Sequence, residues 1–140
     1  MKETVGRSIG MLSNLIRRHF STFSFHDTLS PAQGKTLHFI LARSMDTDVF
    51  QKDVEEEYSL RPPTATKILK DMEKNGLIRR ETVPYDARLK RIVVTEKGLQ
   101  YQGMIRESLE ETERRLTAGI TGDDLATFFR VISRMIRNMS

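Results

Sequence analysis

Arg61-Pro62-Pro63-Thr64-Ala65-Thr66-Lys67-Ile68-Leu69-Lys70-Asp71-Met72-Glu73-Lys74-Asn75, closed by Gly76, is the stretch that decides the fold. Proline fits the first turn of a helix, Ala65, Ile68, Leu69 and Met72 recur at helical spacing as one inner face, and Gly76 is free to take the positive φ of a helix stop. Leu77-Ile78-Arg79-Arg80-Glu81-Thr82-Val83 follows at once, then a tip Pro84-Tyr85-Asp86-Ala87-Arg88-Leu89-Lys90, then Arg91-Ile92-Val93-Val94-Thr95. These runs predict a β-hairpin with a basic tip. Upstream, residues 51–58 predict a short helix with Val54 and Tyr58 facing inward, and Ser59-Leu60 makes the turn into the next helix. Helix, turn, helix and hairpin in this order are the parts of a winged helix-turn-helix. Such a unit sets one helix into the DNA major groove and the hairpin beside or in the minor groove.

Working outward, Val5, Ile9, Leu12, Ile16, Phe20 and Phe23 fall three and four apart and predict a first helix over about residues 5–25. Ser30-Pro31-Ala32-Gln33 is a helix start, with Ser30 as cap and Gln33 placed for a capping box. That helix carries Leu37, Ile40 and Leu41 and ends near Ser44. Thr95 caps a long helix running to about Leu116. Thr121-Gly122-Asp123-Asp124 opens a last one, striped by Leu125, Phe128, Phe129, Ile132, Ile136 and Met139. The expected fold is mainly α with a small β-hairpin wing, a single domain over 1–140. Residues 30–97 form the DNA-binding portion, and 1–28 and 98–140 supply terminal helices for a dimerisation bundle. The terminal stripes exceed what a compact winged unit can cover, and a second copy is the economical partner. Two reading heads related by a two-fold axis match a pseudo-palindrome with half-sites ~34–36 Å apart.

Composition narrows the classes. The 140 residues suit one domain with a real core. No apolar run approaches the ~20 residues of a bilayer span, and the N-terminus lacks the apolar block of a secretory signal, so a cytoplasmic location with no membrane partner is expected. There is no cysteine, which excludes disulfides, thiolate metal sites and thiol redox sensing. Residues 61–97 carry ten Lys/Arg against five Asp/Glu, a net +5, while the remainder carries thirteen against fourteen, a net −1. The excess positive charge lies in the reading unit, as a phosphate-facing surface requires.

Several motifs together carry a family resemblance: Leu29-Ser30-Pro31-Ala32-Gln33; Val54 with Tyr58-Ser59-Leu60; Thr64 to Leu69 followed by Met72 to Arg80; and Asp86-Ala87-Arg88 followed by Val94-Thr95-Glu96-Lys97-Gly98. From about Leu29 to the C-terminus the chain resembles the MarR family (multiple antibiotic resistance regulators) of bacterial and archaeal transcription factors. The resemblance implies an obligate homodimer on double-stranded DNA with a palindromic operator. It most often implies a repressor released by a small aromatic or phenolic ligand. Carried over by position, it puts recognition-helix contacts on Pro62, Pro63, Thr64, Thr66 and Lys67, a phosphate contact on Lys70, and a minor-groove arginine at Arg88. Asp86 would hold a neighbouring arginine and shape the tip, and Lys90 flanks the wing. Pro62-Pro63 departs from the polar or basic residues usual there, and Glu55 stands where a small residue is usual.

Hydroxyls such as those of Thr64 and Thr66 can serve bases or phosphates. Of the histidines, His19, His26 and His38, no two share the i, i+4 spacing of a metal pair, so no metal or cofactor is expected. His19 and His38 instead belong to the helices nearest the family's ligand cleft, where Phe20 and Phe23 would join them. No Gly-rich phosphate loop or catalytic carboxylate pair is apparent, so no enzyme is expected. A winged-helix protein-interaction module and a non-specific nucleoid-type DNA binder are the rival readings.

Overall fold

The computed structural model describes residues 2–21 and 29–140. Its elements are α1 (Val5–Ser21), α2 (Pro31–Ser44), α3 (Gln51–Tyr58), α4 (Pro62–Lys74), β1 (Ile78–Val83), β2 (Asp86–Val94), α5 (Glu96–Leu99), α6 (Gln102–Thr117) and α7 (Gly122–Met139). The architecture is mainly helical with a two-stranded antiparallel hairpin. Phe23 and His26 lie outside the described residues.

Local chemistry sets the boundaries. Ser30 Oγ accepts from the Gln33 amide at 3.2 Å, and Pro31 opens α2. The capping box stays half-made, because the Gln33 side chain is buried and its Oε1 takes no hydrogen bond. The turn between α3 and α4 is closed by Ser59 in the left-handed region (φ 50°) and by the Leu60 amide donating to the Glu55 carbonyl at 2.9 Å. At the other end of α4, Gly76 (φ 75°) makes the paired closing bonds of a Schellman turn. Its own amide donates to Glu73 at 3.0 Å, and the Leu77 amide donates to Met72 at 2.9 Å.

The hairpin pairs Ile78 with Val94 through Thr82 with Lys90, then shifts register and closes Val83 against Asp86. The turn is therefore only Pro84-Tyr85. Residues 86–90, expected as loop, belong to β2 because the register shift lets the strand restart at Asp86. A bond from the Ile92 amide to the Val49 carbonyl, 2.7 Å, ties the far edge of β2 to the segment before α3.

The single long helix expected from Thr95 is instead divided at Gln100-Tyr101. Thr95 Oγ1 caps α5 by accepting from the Gly98 amide at 3.1 Å. Gly98 is packed so closely that a Cβ there would lie 2.4 Å from the Leu77 carbonyl oxygen and 2.7 Å from Val94 Cγ1. α5 is thus fixed to the base of the wing, while α6 packs against α1 and α2. One straight helix could not meet both demands, and the kink separates them.

The core joins Phe20, Leu37, Ile40, Val49, Val54, Leu69, Met72, Leu77 and Ile105, from α1 through the hairpin to α6. Tyr58, expected inward, is exposed at 36%: its ring packs edge-on to Phe39, and its hydroxyl donates to the Lys35 carbonyl at 2.8 Å. α7 buries no residue of its own. Phe128, Phe129, Val131 and Ile136 are exposed along it, as are Val5, Ile9, Met11 and Leu12 along α1.

Candidate nucleic-acid interface

α4 divides cleanly by face. Ala65, Leu69 and Met72 are buried, and Pro62, Pro63, Thr64, Lys67 and Lys70 are exposed. Lys67 is loosely held, with a 3.3 Å pair to Asp71 one turn on and a side chain 79% exposed. Such surface pairs constrain little. The two prolines have no amide, and the Thr64 and Ala65 amides both donate to the Arg61 carbonyl, at 3.0 and 3.2 Å. The start of α4 therefore offers no amide cradle for a phosphate, and its contribution to a DNA contact is apolar or through side chains. Thr66 is half-buried, and its hydroxyl accepts from Gln51 Nε2 at 2.9 Å.

At the wing, Asp86 accepts three bonds from Arg88: from its backbone amide at 2.9 Å and from Nε and Nη2 at 3.2 Å each. The Arg88 side-chain bonds, then its amide, hold the Asp86 carboxyl below the usual carboxylate range. The guanidinium stays 90% exposed, so it is oriented without being covered. Lys90 is exposed beside it.

Other cations of the reading unit serve the fold. Glu81 sits between Arg79 (2.9 Å) and Arg91 (3.2 Å), which lower its pKa in that order. Arg91 also lies 3.8 Å from Asp48, Arg80 lies 2.9 Å from Glu73, and Lys97 Nζ donates to the Asn75 carbonyl at 2.7 Å. The net +5 of the sequence already counts Glu73 and Glu81, and of these partners only Asp48 is an acid from outside residues 61–97.

Of the four residues expected around a ligand, the three described do not gather into one site. Phe20 is sealed in the core at 0% exposure, because it fills the space beside Gly34 where α1 crosses α2. His19 reaches Arg115 on α6, Nδ1 to Nη1 3.1 Å, beside a hollow of about 240 Å³. His38 lies half-buried on α2 and lines neither larger cavity described next, and Phe23 is outside the described residues. One of these cavities, of about 490 Å³, is walled by Leu12, Ile16, Leu116, Phe128 and Phe129. The other, of about 460 Å³, is lined by Thr36, Tyr58, Leu60 and Ile68. Arg17 and Lys35 border both. Burial, and then Glu57, push the Tyr58 hydroxyl up to about 12. Arg17 lies off the apolar stripe of α1, so periodicity marks it only as solvent-facing. Its approach to Lys35 and Tyr58 exists only once α1, α2 and α3 have packed. Among the described residues no cluster of His, Asp or Glu has metal-ligand geometry, and no helix is long and apolar enough to cross a membrane.

Comparison with known proteins agrees with this geometry. The model of the MarR family matches residues 27–89. The transcription regulator MarR from Oenococcus oeni PSU-1 is 25% identical, with a TM-score of 0.84 over 96% of this chain and 99% of that one. A MepR–DNA complex from S. aureus superposes with a TM-score of 0.89 at 20% identity, covering 98% and 97% of the two chains. A putative MarR family transcriptional regulator from Listeria monocytogenes, complexed with 26mer DNA, gives 0.84 at 22% identity, covering 99% and 90%. The MarR family model thus matches residues 27–89 in sequence, and nearly the whole chain shares the winged helix-turn-helix fold of MarR-family transcription regulators.

Proposed function

We propose that this chain acts in the cytoplasm as a homodimeric repressor that binds a pseudo-palindromic operator and is released by a small aromatic or phenolic effector. The observation that carries the reading is the joint exposure of Thr64, Lys67 and Lys70 on α4 and Arg88 on the wing, the latter already oriented by Asp86. In this assignment Pro62, Pro63, Thr64 and Thr66 meet the major groove, the prolines against thymine methyls. Lys67, Lys70 and Lys90 meet phosphates, and Arg88 enters the minor groove. Dimerisation is supported by the apolar surface of α1 and α7, since a monomer rarely leaves such a patch open. The effector is supported by the two cavities, whose size suits a small organic molecule and whose border residues Arg17 and Lys35 suit a phenolate or carboxylate.

The test selects duplexes from a randomised library and then measures affinity for the selected and a scrambled duplex across a salt series. A regulator gives a specificity ratio of roughly 10³ or more. Equal affinity for both duplexes makes the protein a non-specific binder, and no affinity for either makes it an interaction module.

A further inference from the structure

Gln51, the first residue of α3, takes part in a polar network that spans the reading unit. Its Nε2 donates to Thr66 Oγ1 at 2.9 Å, to Glu55 Oε2 at 3.1 Å and, at the longer distance of 3.4 Å, to the Pro62 carbonyl. Its Oε1 accepts from Arg80 Nη1 at 3.4 Å, and Arg80 in turn pairs with Glu73 near the end of α4. The amide orientation is dictated by these neighbours. Arg80 can only donate, and the Glu55 carboxylate and Pro62 carbonyl can only accept. Exchanging oxygen and nitrogen would set donor against donor at Arg80 and acceptor against acceptor at Glu55. The –NH₂ therefore faces Thr66, and the threonine oxygen must act as acceptor there.

The threonine proton then has to point elsewhere. Thr36, Thr112 and Thr117 each return their hydroxyl to the carbonyl four residues back. Thr66 does not: the carbonyl four residues back is that of Pro62, which Gln51 approaches instead, and the Thr66 hydroxyl has no acceptor among the described residues. We infer that Gln51 is a positioning residue that sets the hydrogen-bond polarity of Thr66, so that Thr66 offers DNA a donor and selects an acceptor edge. In the major groove those edges are N7 of either purine, O6 of guanine and O4 of thymine. This rests on the DNA-reading role proposed for α4 and adds a residue that touches no DNA itself.

Gln51→Glu gives the sharpest test. A carboxylate can only accept, so it takes the Thr66 proton and leaves Thr66 oxygen lone pairs toward the groove. The preferred base edge at the Thr66 position should then change from acceptor to donor, the amino groups of adenine and cytosine. Library selection is run on wild type, Gln51→Glu, Gln51→Met, Thr66→Ser and Thr66→Val, with melting temperature and salt slope measured for each. Expected are an unchanged consensus for Thr66→Ser and a loss of preference of about tenfold at one position per half-site for Thr66→Val. Gln51→Met should weaken preference at that same position, and Gln51→Glu should replace it, with salt slopes unaltered throughout. A wild-type consensus that Gln51→Glu leaves intact overturns the inference alone. A consensus indifferent to Thr66→Val also overturns it. A wild type that selects no consensus removes the DNA-reading role and the inference with it. Gln51→Met guards against a folding artefact, since it keeps length and helix propensity while deleting only the polar contacts.

Discussion

Replacing Arg88 by alanine should cripple operator binding without disturbing the fold. The side chain is 90% exposed and its recorded partner is Asp86, two residues away on the same strand. Nothing in the core rests on it, so the melting temperature should not move. Binding is another matter, because the proposed two-fold dimer would present two such guanidiniums. Hydrogen bonds to a charged group contribute about 1.5–3 kcal/mol each. Loss of one contact per half-site then costs about 3–6 kcal/mol, or roughly 10²- to 10⁴-fold in affinity. Each removed charge lowers the slope of log Kobs against log salt by ~0.9, so the dimer should lose ~1.8.

Asp86→Asn separates charge from orientation. It keeps the arginine but weakens the three bonds that aim it. Affinity should fall by less than in Arg88→Ala, and the salt slope should stay at the wild-type value. The assay is fluorescence anisotropy on the selected duplex between about 50 and 200 mM salt. Wild-type affinity and slope in Arg88→Ala would show that the wing does not meet DNA. A slope loss in Asp86→Asn equal to that of Arg88→Ala would show that Asp86 does not act by aiming the arginine.

Phe129→Glu on the open face of α7 should convert the dimer to monomer in light scattering and reduce operator affinity by at least the contribution of the second half-site. A dimer that persists would place the interface elsewhere. Gly98→Ala should destabilise the fold by ~1–3 kcal/mol or more in denaturant unfolding, because the new methyl meets backbone at Leu77 and the side chain of Val94. Tyr58 has a pKa raised from 10.0 to about 12, so the unfolded chain loses that proton first. The associated stability is full below pH 10 and drains as pH rises from 10 toward 12. Tyr58→Phe should flatten this alkaline fall by up to one proton per chain, and an unchanged slope would sever the link.

Periodicity and punctuation reveal most of the backbone. Pro31, Pro62, Gly76 and Thr121 mark helix ends because their chemistry is local: a missing amide, a permitted positive φ, a hydroxyl aimed at the first turn. The division of α5 from α6 is not local. It follows from Gly98 meeting Leu77 and Val94, residues distant along the chain, and the stripe of Leu99, Ile105 and Leu109 reads straight through it. The site divides in the same way. Exposure of Lys67 and Lys70 follows from their position opposite Leu69 and Met72, and the Asp86–Arg88 clasp is a two-residue motif. Phe20 was misleading because an apolar stripe is the same whether its side chains line a core or a cavity. Gln51 was invisible because its partners at 62, 66 and 80 meet it only through the turn at Ser59 and the path of the wing.

Coupling between effector and operator then has a definite requirement. A ligand moves an equilibrium only by its difference in affinity for the two arrangements, so a hundredfold release from DNA demands about 2.7 kcal/mol of preference. The cavity of about 460 Å³ is bordered by Arg17 of α1, Lys35 of α2, Tyr58 of α3 and Ile68 of α4. A molecule there touches a terminal helix and the reading helix together, across the bond from Tyr58 to the Lys35 carbonyl. An effector that forms its own hydrogen bond to that hydroxyl must compete with the α2–α3 tie that helps set α4. Its grip is therefore strongest on an arrangement in which the tie is broken. In Tyr58→Phe the tie is absent from the start and the ligand has no hydroxyl to bond, so operator affinity without ligand should fall and a phenolic ligand should add little further release. If ligand release were as complete and as sensitive in Tyr58→Phe as in wild type, the route from cavity to reading helix would not run through this bond.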